Sequence, residues 1–236
     1  MTPPPIPDTR VHIVREVPLE AVMPLVRLRS SAFARLRAPK GKREEVLRSV
    51  ERLAATGAFP LAGVYRFARA HREGGEIVLA AAADGILPTR VPTPRTAGDW
   101  SAADGLSDSP TVGDSVALFA VTAGRVAPQA RLRAEDGHLV EAHLLEVTAL
   151  ALAEGCAEWM HGQIRKMWGV GPAEGFRISP GYPACPDLSI QKTLFDLLVP
   201  EAVGITLTES LMMDPEASVS AIAFWKGRRE GGDDAE

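Results

Sequence analysis

The chain has 236 residues, 46% hydrophobic and 24% charged, enough apolar material for one large core or two small ones, which excludes a disordered polymer. Its net charge of −4 supplies no basic field for nucleic acid, and no run approaches the ~20 apolar residues that a membrane span needs. The Pro-rich opening Met1–Asp8 has no signal-peptide pattern, and two cysteines, Cys156 and Cys185, suit a reducing compartment and are too few for a four-thiolate zinc site, so a cytoplasmic protein is expected.

Taken in chain order, residues 1–9 read as a flexible lead. Arg10–Arg15 alternates polar and apolar residues as a half-buried strand does. Pro18 opens a helical stretch, Leu19–Leu36, which Pro24 divides into two short pieces. Lys42–Ala55 carries an apolar stripe of Val46, Leu47, Val50, Leu53 and Ala54 and stops at Gly57, a helix with its C-terminal signal. Leu61–Ala68 and Glu76–Ala81 form a hairpin around Gly74 and Gly75. From Gly85 to Gly113 the prolines 88, 92, 94 and 110 indicate a long irregular excursion.

Ser115–Thr122 is almost continuously apolar, the mark of a central strand buried on both faces. Between Asp136 and Trp168 there is no proline, and apolar positions recur at helical spacing, which predicts one helix of roughly 45 Å at 1.5 Å per residue. Within it, Gly155 and Gly162 allow another backbone or a ligand to come close. Asp187 is placed to cap a further helix with the face Leu188, Ile190, Leu194, Leu197 and Leu198. Ile205–Ser210 and Ser218–Trp225 read as strands, and 227–236 as a charged, disordered tail. Helices and strands do not alternate regularly, so the fold class is α+β: a single domain with a mainly antiparallel sheet, flanked by helices that include one long one.

No phosphate-binding loop, nucleophile elbow or zinc-protease helix is present. Val121–Gly124 ends a strand on a glycine, but no glycine-rich fingerprint follows it, which disfavours a dinucleotide fold. Asp136-Gly-His-Leu-Val-Glu141 shares the start of a cobalt-ligating Asp-x-His-x-x-Gly segment without its final glycine, and reads as a helix start. His143 and His161 have no second ligand at metal-binding spacing and are expected at an interface or the surface. Cys156 reads as a small core residue.

The informative stretch is Arg177-Ile-Ser-Pro-Gly-Tyr-Pro-Ala-Cys-Pro-Asp187. Three prolines stiffen its backbone, so its N–H and C=O groups are presented at low entropic cost. Arg177 offers a bidentate fork for a carboxylate, and Tyr182, one of two tyrosines, offers a flat face with a polar tip. The same stretch also reads as a rigid connection between packed elements. Glu154 in the long helix could meet an ammonium or sulfonium group, or be a solvated surface acid.

This run, with Leu207-Thr-Glu-Ser210 and Ala217-Ser-Val-Ser220 after it and Ala120–Gly124 and Ala153-Glu-Gly-Cys-Ala-Glu-Trp-Met-His161 before it, closely resembles the C-terminal reactivation domain of cobalamin-dependent methionine synthase. The resemblance covers roughly residues 58 to 225, and upstream of that only the order of elements agrees. It implies a curved α+β domain over 10–226 with S-adenosylmethionine across its concave surface. It also implies that Glu154 and Arg177 hold the methionine moiety, with Pro180, Gly181, Tyr182 and the backbone around Ala184 completing the binding loop. The chemistry implied is reductive methylation: one electron plus the sulfonium methyl returns an oxidised Co(II) corrinoid to methylcobalamin. The domain contributes proximity, and no general base is required.

The implied partners are a corrinoid-binding methyltransferase subunit that carries the cobalamin and a flavodoxin-like electron donor. Three departures accompany the resemblance. No acidic residue occurs in Leu25–Phe33, where the family places an aspartate that contacts the cofactor. The family's tyrosine-bearing segment after the Ser-Val-Ser strand is replaced by the charged tail. Leu188, Ser189 and Ile190 stand where histidine, threonine and glutamate are usual. The leading expectation is a free-standing reactivation subunit. The alternatives are a docking module of a split methionine synthase or other corrinoid methyltransferase without tight S-adenosylmethionine binding, and a sensor or unrelated ligand binder.

Overall fold

A computed structural model describes residues 3–28, 36, 42–80, 88–93, 101–110 and 113–225. At its centre is β5 (Asp114–Thr122), with all nine residues buried. An unbroken apolar run does this when both faces of a strand are covered. β5 lies between β2 (Ala62–Glu73) and β9 (Ser218–Phe224), with Phe119 opposite Tyr65 on one side and Ala221 on the other. The second edge of β2 is shared by β1 (His12–Val14), opposite Gly63–Tyr65, and β3 (Glu76–Ala80), opposite Arg69–Glu73. β4 (Thr89–Pro92) and β6 (Phe176–Ile178) complete the order β4-β3-β2-β5-β9-β6, every pairing antiparallel. The sheet is curled, and the class is α+β as expected.

Alternation along the strands feeds two cores. Phe67, Ala117, Phe119 and Val121 pack with Leu152, Cys156, Met160 and Ile164 of the long helix α4 (Leu139–Trp168). Val64, Val116, Leu118 and Ile222 point the other way, toward Leu194 and Leu198 of α5 (Ile190–Leu198). The remaining α-helices among the described residues are α1 (Leu19–Val22), α2 (Arg43–Ala54) and α3 (Ala127–Glu135). Pro24 sits in a tight 3-10 turn, Met23–Leu25, directly after α1. With no N–H to donate, proline ends the α-helix there, giving the first of the two short pieces. Most of the second, together with 85–87, 94–100, 111–112 and the tail, lies outside the described residues.

Several expectations change. β2 continues to Glu73, because its polar end pairs with β3 on one edge, Arg72 N–H donates to the Ser107 carbonyl on the other, and the Arg72 side chain is held by Asp104 and Asp108. The stretch read as irregular contains β4, whose Pro92 is tolerable only because β4 is an edge strand. α3 escapes the sequence reading because it is barely amphipathic, burying only Ala130 and exposing Leu132. The expected strand Ile205–Ser210 shrinks to β7 (Thr206–Leu207), paired with β8 (Met213–Asp214) in a separate ribbon. His161, expected at an interface or the surface, is buried within the chain, because its turn of α4 faces the sheet. Of the two helix glycines only Gly155 is closely approached, by Val22 and Val26, whose methyls lie 3.0 and 3.1 Å from where its Cβ would stand, while Gly162 has open space.

Candidate functional site

The loop after β6 closes on itself. Tyr182 N–H donates to the Ser179 carbonyl, Cys185 N–H donates to the Tyr182 carbonyl at 2.8 Å, and Gly181 N–H donates to the Cys185 carbonyl at 2.8 Å. Gly181 makes this turn at φ +85°, and a Cβ there would meet the Leu188 side chain. Asp187 accepts from Ser189 N–H ahead of α5, and that hydroxyl and amide hold its carboxyl below the usual range. Asp187 therefore acts just before the helix rather than as its cap residue. Cys185 is sealed inside, and burial pushes its thiol up to about 11. The loop is pre-ordered, as three prolines imply.

β6 carries Arg177 opposite Ala223 of β9 and aims it at α4. Its Nε and Nη2 donate to Glu158 at 3.2 and 2.9 Å, and Nη2 also reaches Glu154 at 3.3 Å. Glu154 and Glu158 are one helical turn apart, so both carboxylates share a face and one guanidinium serves both. Glu158 was not singled out from sequence, although the i, i+4 spacing from Glu154 was the signal that could have found it. One turn further on, His161 is buried with no partner for Nε2 among the described residues. Burial, reinforced by the nearby Arg165 cation, pushes its pKa down to about 4, so it is neutral at pH 7.

Beside this ion cluster lies a groove of about 570 Å³, within the ~300–1,000 Å³ range of small-molecule sites. Its walls are the N-terminal half of α4, the loop residues Ser179–Tyr182, the start of β9, the β7–β8 turn and the segment after α1. Of the residues singled out from sequence, Glu154, Pro180, Gly181 and Tyr182 line it, and Tyr182 stands at its mouth, 46% exposed. Arg177 is not part of the lining and reaches it through Glu154, while Ala184 packs against the second core instead. Gln191 lines the groove and crosslinks it, accepting from Ser220 Oγ at 2.9 Å and donating to the Leu211 carbonyl at 3.3 Å. Arg27 and Glu216 also line it, and no motif pointed to either. Among the described residues no group of His, Cys, Asp or Glu could hold a metal ion, and no helix could cross a membrane.

Residues 43–229 match the family model described as the vitamin B12 dependent methionine synthase activation domain. The chain belongs to this family. A solved structure of the MetH reactivation domain bound to AdoHcy is similar to this activation domain with a TM-score of 0.83, at 24% identity, covering 98% of this chain and 83% of that one. The likeness in fold thus reaches the N-terminal elements, where the sequence resemblance was confined to element order. The groove of this activation domain lies where α4, α5 and the loop after β6 converge on β9.

Proposed function

We propose that this activation domain binds S-adenosylmethionine in the groove and presents its methyl to a corrinoid held by a separate domain or chain. The observation that carries the reading is Glu154, fixed by Arg177 at the wall of a 570 Å³ groove whose rim is the pre-ordered loop Ser179–Tyr182. A ligand with both an ammonium and a sulfonium suits a carboxylate already oriented by a guanidinium. The half-exposed Tyr182 ring offers a face on which a purine stacks, and the tight turn at Gly181 brings backbone close to it. Pro180 stiffens that approach, and Ala184 supports it from behind.

The corrinoid, when docked, supplies the metal centre that accepts the methyl. What this chain's residues do is bind, orient and exclude water, so the gain is one of proximity. Methyl transfer from a sulfonium releases no proton, which agrees with a site whose neighbouring histidine is buried and neutral. Calorimetry with S-adenosylmethionine on the natural chain and on Arg177→Ala tests this. Micromolar binding that is lost in the variant supports it, and the absence of heat at saturating ligand overturns it.

A second reading, a docking module without tight nucleoside binding, is favoured by one observation: the segment expected to carry an acid places Arg27 in the groove instead. Co-elution with a corrinoid protein in the absence of any calorimetric signal would select it.

A further inference from the structure

A second concavity lies on another flank of α4, toward the C-terminal end of that helix. It encloses about 370 Å³, again within the ~300–1,000 Å³ range of small-molecule sites, and shares no lining residue with the groove. Its floor is apolar: Val14 of β1, the buried Met160 and the partly exposed Met167. One wall is the half-buried Tyr65 ring of β2, held from outside the cavity. His12 stacks on it with centroids 4.7 Å apart and planes at 9°, and Phe67 meets it at a steep angle with centroids 5.9 Å apart. The other wall is a stripe of α4 in which Trp159, Gln163 and Lys166 stand at i, i+4 and i+7, the spacing that places side chains on one helix face.

The polar groups of this cavity are all donors. The Trp159 indole N–H, the Gln163 amide and the Lys166 ammonium make no side-chain hydrogen bond or ion pair among the described residues. Tyr65 O–H is given only to the Met167 sulfur at 3.7 Å, a weak acceptor that an oxygen readily replaces. No carboxylate is in the lining. Asp8, beyond the Tyr65 wall, already accepts from His12 Nε2 and from Arg10 N–H, each at 2.9 Å. Four donors and one full positive charge thus face an apolar space with aromatic and thioether walls. The complement is a flat ring bearing an anion: the ring lies against Tyr65, Met160 and Met167, and the anion takes the ammonium and N–H groups in charge-assisted bonds. A cation is repelled by Lys166, and a wholly apolar ligand leaves the donors without acceptors.

We infer that this cavity is a second ligand site, separate from the groove, for a small aromatic carboxylate. Trp159, Gln163 and Lys166 hold the carboxylate, and Tyr65 with the two methionines holds the ring. The donors come from one rigid helix and the Tyr65 ring is held by His12 and Phe67, so little ordering is left for the ligand to bring about. The inference goes beyond the S-adenosylmethionine reading and does not depend on it, since the two sites have no residue in common.

The test titrates the full chain with three probes: indoleacetate, tryptamine, which carries the same ring with an ammonium in place of the acid, and cyclohexaneacetate, which keeps the acid without the aromatic ring. Binding is read by calorimetry and by the tryptophan indole N–H signals in NMR. Indoleacetate is expected to move the Trp159 signal, identified by its loss in Trp159→Phe. The Trp168 and Trp225 signals, whose N–H groups are taken by Ser115 and Asp114, stay in place, and the other two probes move none of the three. Lys166→Glu loses roughly 10-fold or more in affinity for indoleacetate, and Trp159→Phe about 3- to 10-fold, while an excess of S-adenosylmethionine leaves that affinity unchanged. The site is overturned if indoleacetate leaves Trp159 unmoved, if tryptamine binds as well, if Lys166→Glu retains the natural affinity, or if S-adenosylmethionine displaces the probe, which would put it in the groove. A Trp159 signal that moves with protein concentration alone overturns it in favour of a second copy of the chain. Should Trp159→Phe fail to fold, Lys166→Glu, at an exposed position, carries the test by calorimetry.

Discussion

The two halves of α4 share one backbone and face different tasks. From Val147 to Gly155 small residues, Ala149, Ala151, Ala153 and Gly155, alternate with Leu150, Leu152 and Glu154, and one flank lines the groove. From Met160 to Trp168 the buried positions are large, with Met160, His161, Ile164 and Trp168 wedged against the sheet. Trp168 is the anchor: its indole N–H donates to Ser115 Oγ at 2.8 Å, and its ring meets Phe67 edge-on at 5.7 Å. Side-chain volume thus divides the helix. Small residues leave room for a ligand and for the approach of α1, while large ones fill the core at close packing.

The division can be broken most forcefully at the anchor. Trp168→Ala removes a buried ring and leaves Ser115 without its donor, and is expected to cost about 3–5 kcal/mol of stability, measured by urea unfolding. Ligand affinity of the folded fraction should change little.

Next comes His161, whose folded pKa of about 4 lies below the ordinary histidine value of 6.5 that holds in the unfolded chain. Between these values the unfolded chain binds the extra proton, so stability falls as pH drops from 6.5 toward 4 and is fully retained above 6.5. At ~1.4 kcal/mol per pH unit the loss is roughly 3 kcal/mol. Unfolding of His161→Leu followed across this range should show a slope smaller by up to ~1.4 kcal/mol per pH unit, and an unchanged slope would contradict the assignment.

On the groove half the effects appear in binding rather than in folding. Glu154→Gln should weaken S-adenosylmethionine roughly 10- to 100-fold while shifting the unfolding midpoint little, read by calorimetry and urea titration on one preparation. The smallest effect is expected at Gln191→Leu. Losing the bonds to Ser220 and Leu211 should cost about 1 kcal/mol and speed hydrogen exchange at the Met212 and Met213 amides, which that crosslink steadies.

The core was easier to read than the site. β5 announced itself because a strand covered on both faces has no polar positions, and α4 because thirty residues without proline leave few other options. β4 and α3 were illegible for opposite reasons. β4 carries Pro92, which a central strand forbids and an edge allows, while α3 buries almost nothing and so has no stripe. In the site, the proline-stiffened loop and Glu154 were visible as local patterns. Arg27, Gln191 and Glu216 were not, because each reaches the groove through a tertiary approach, as Arg27 does through the fit of Val22 and Val26 over Gly155, that no local spacing encodes.

The position of β9 also sets an order in time. It is the last described strand, yet it lies between β5 and β6 and lends Ser218, Val219 and Ser220 to the groove. During synthesis β2, β3 and β5 can pair as they emerge, whereas β6 has no neighbour to pair with until β9 follows it out. The groove is therefore the final part of the described fold to come into being, and a nascent chain halted before residue 218 holds a partial sheet without the groove's β9 wall.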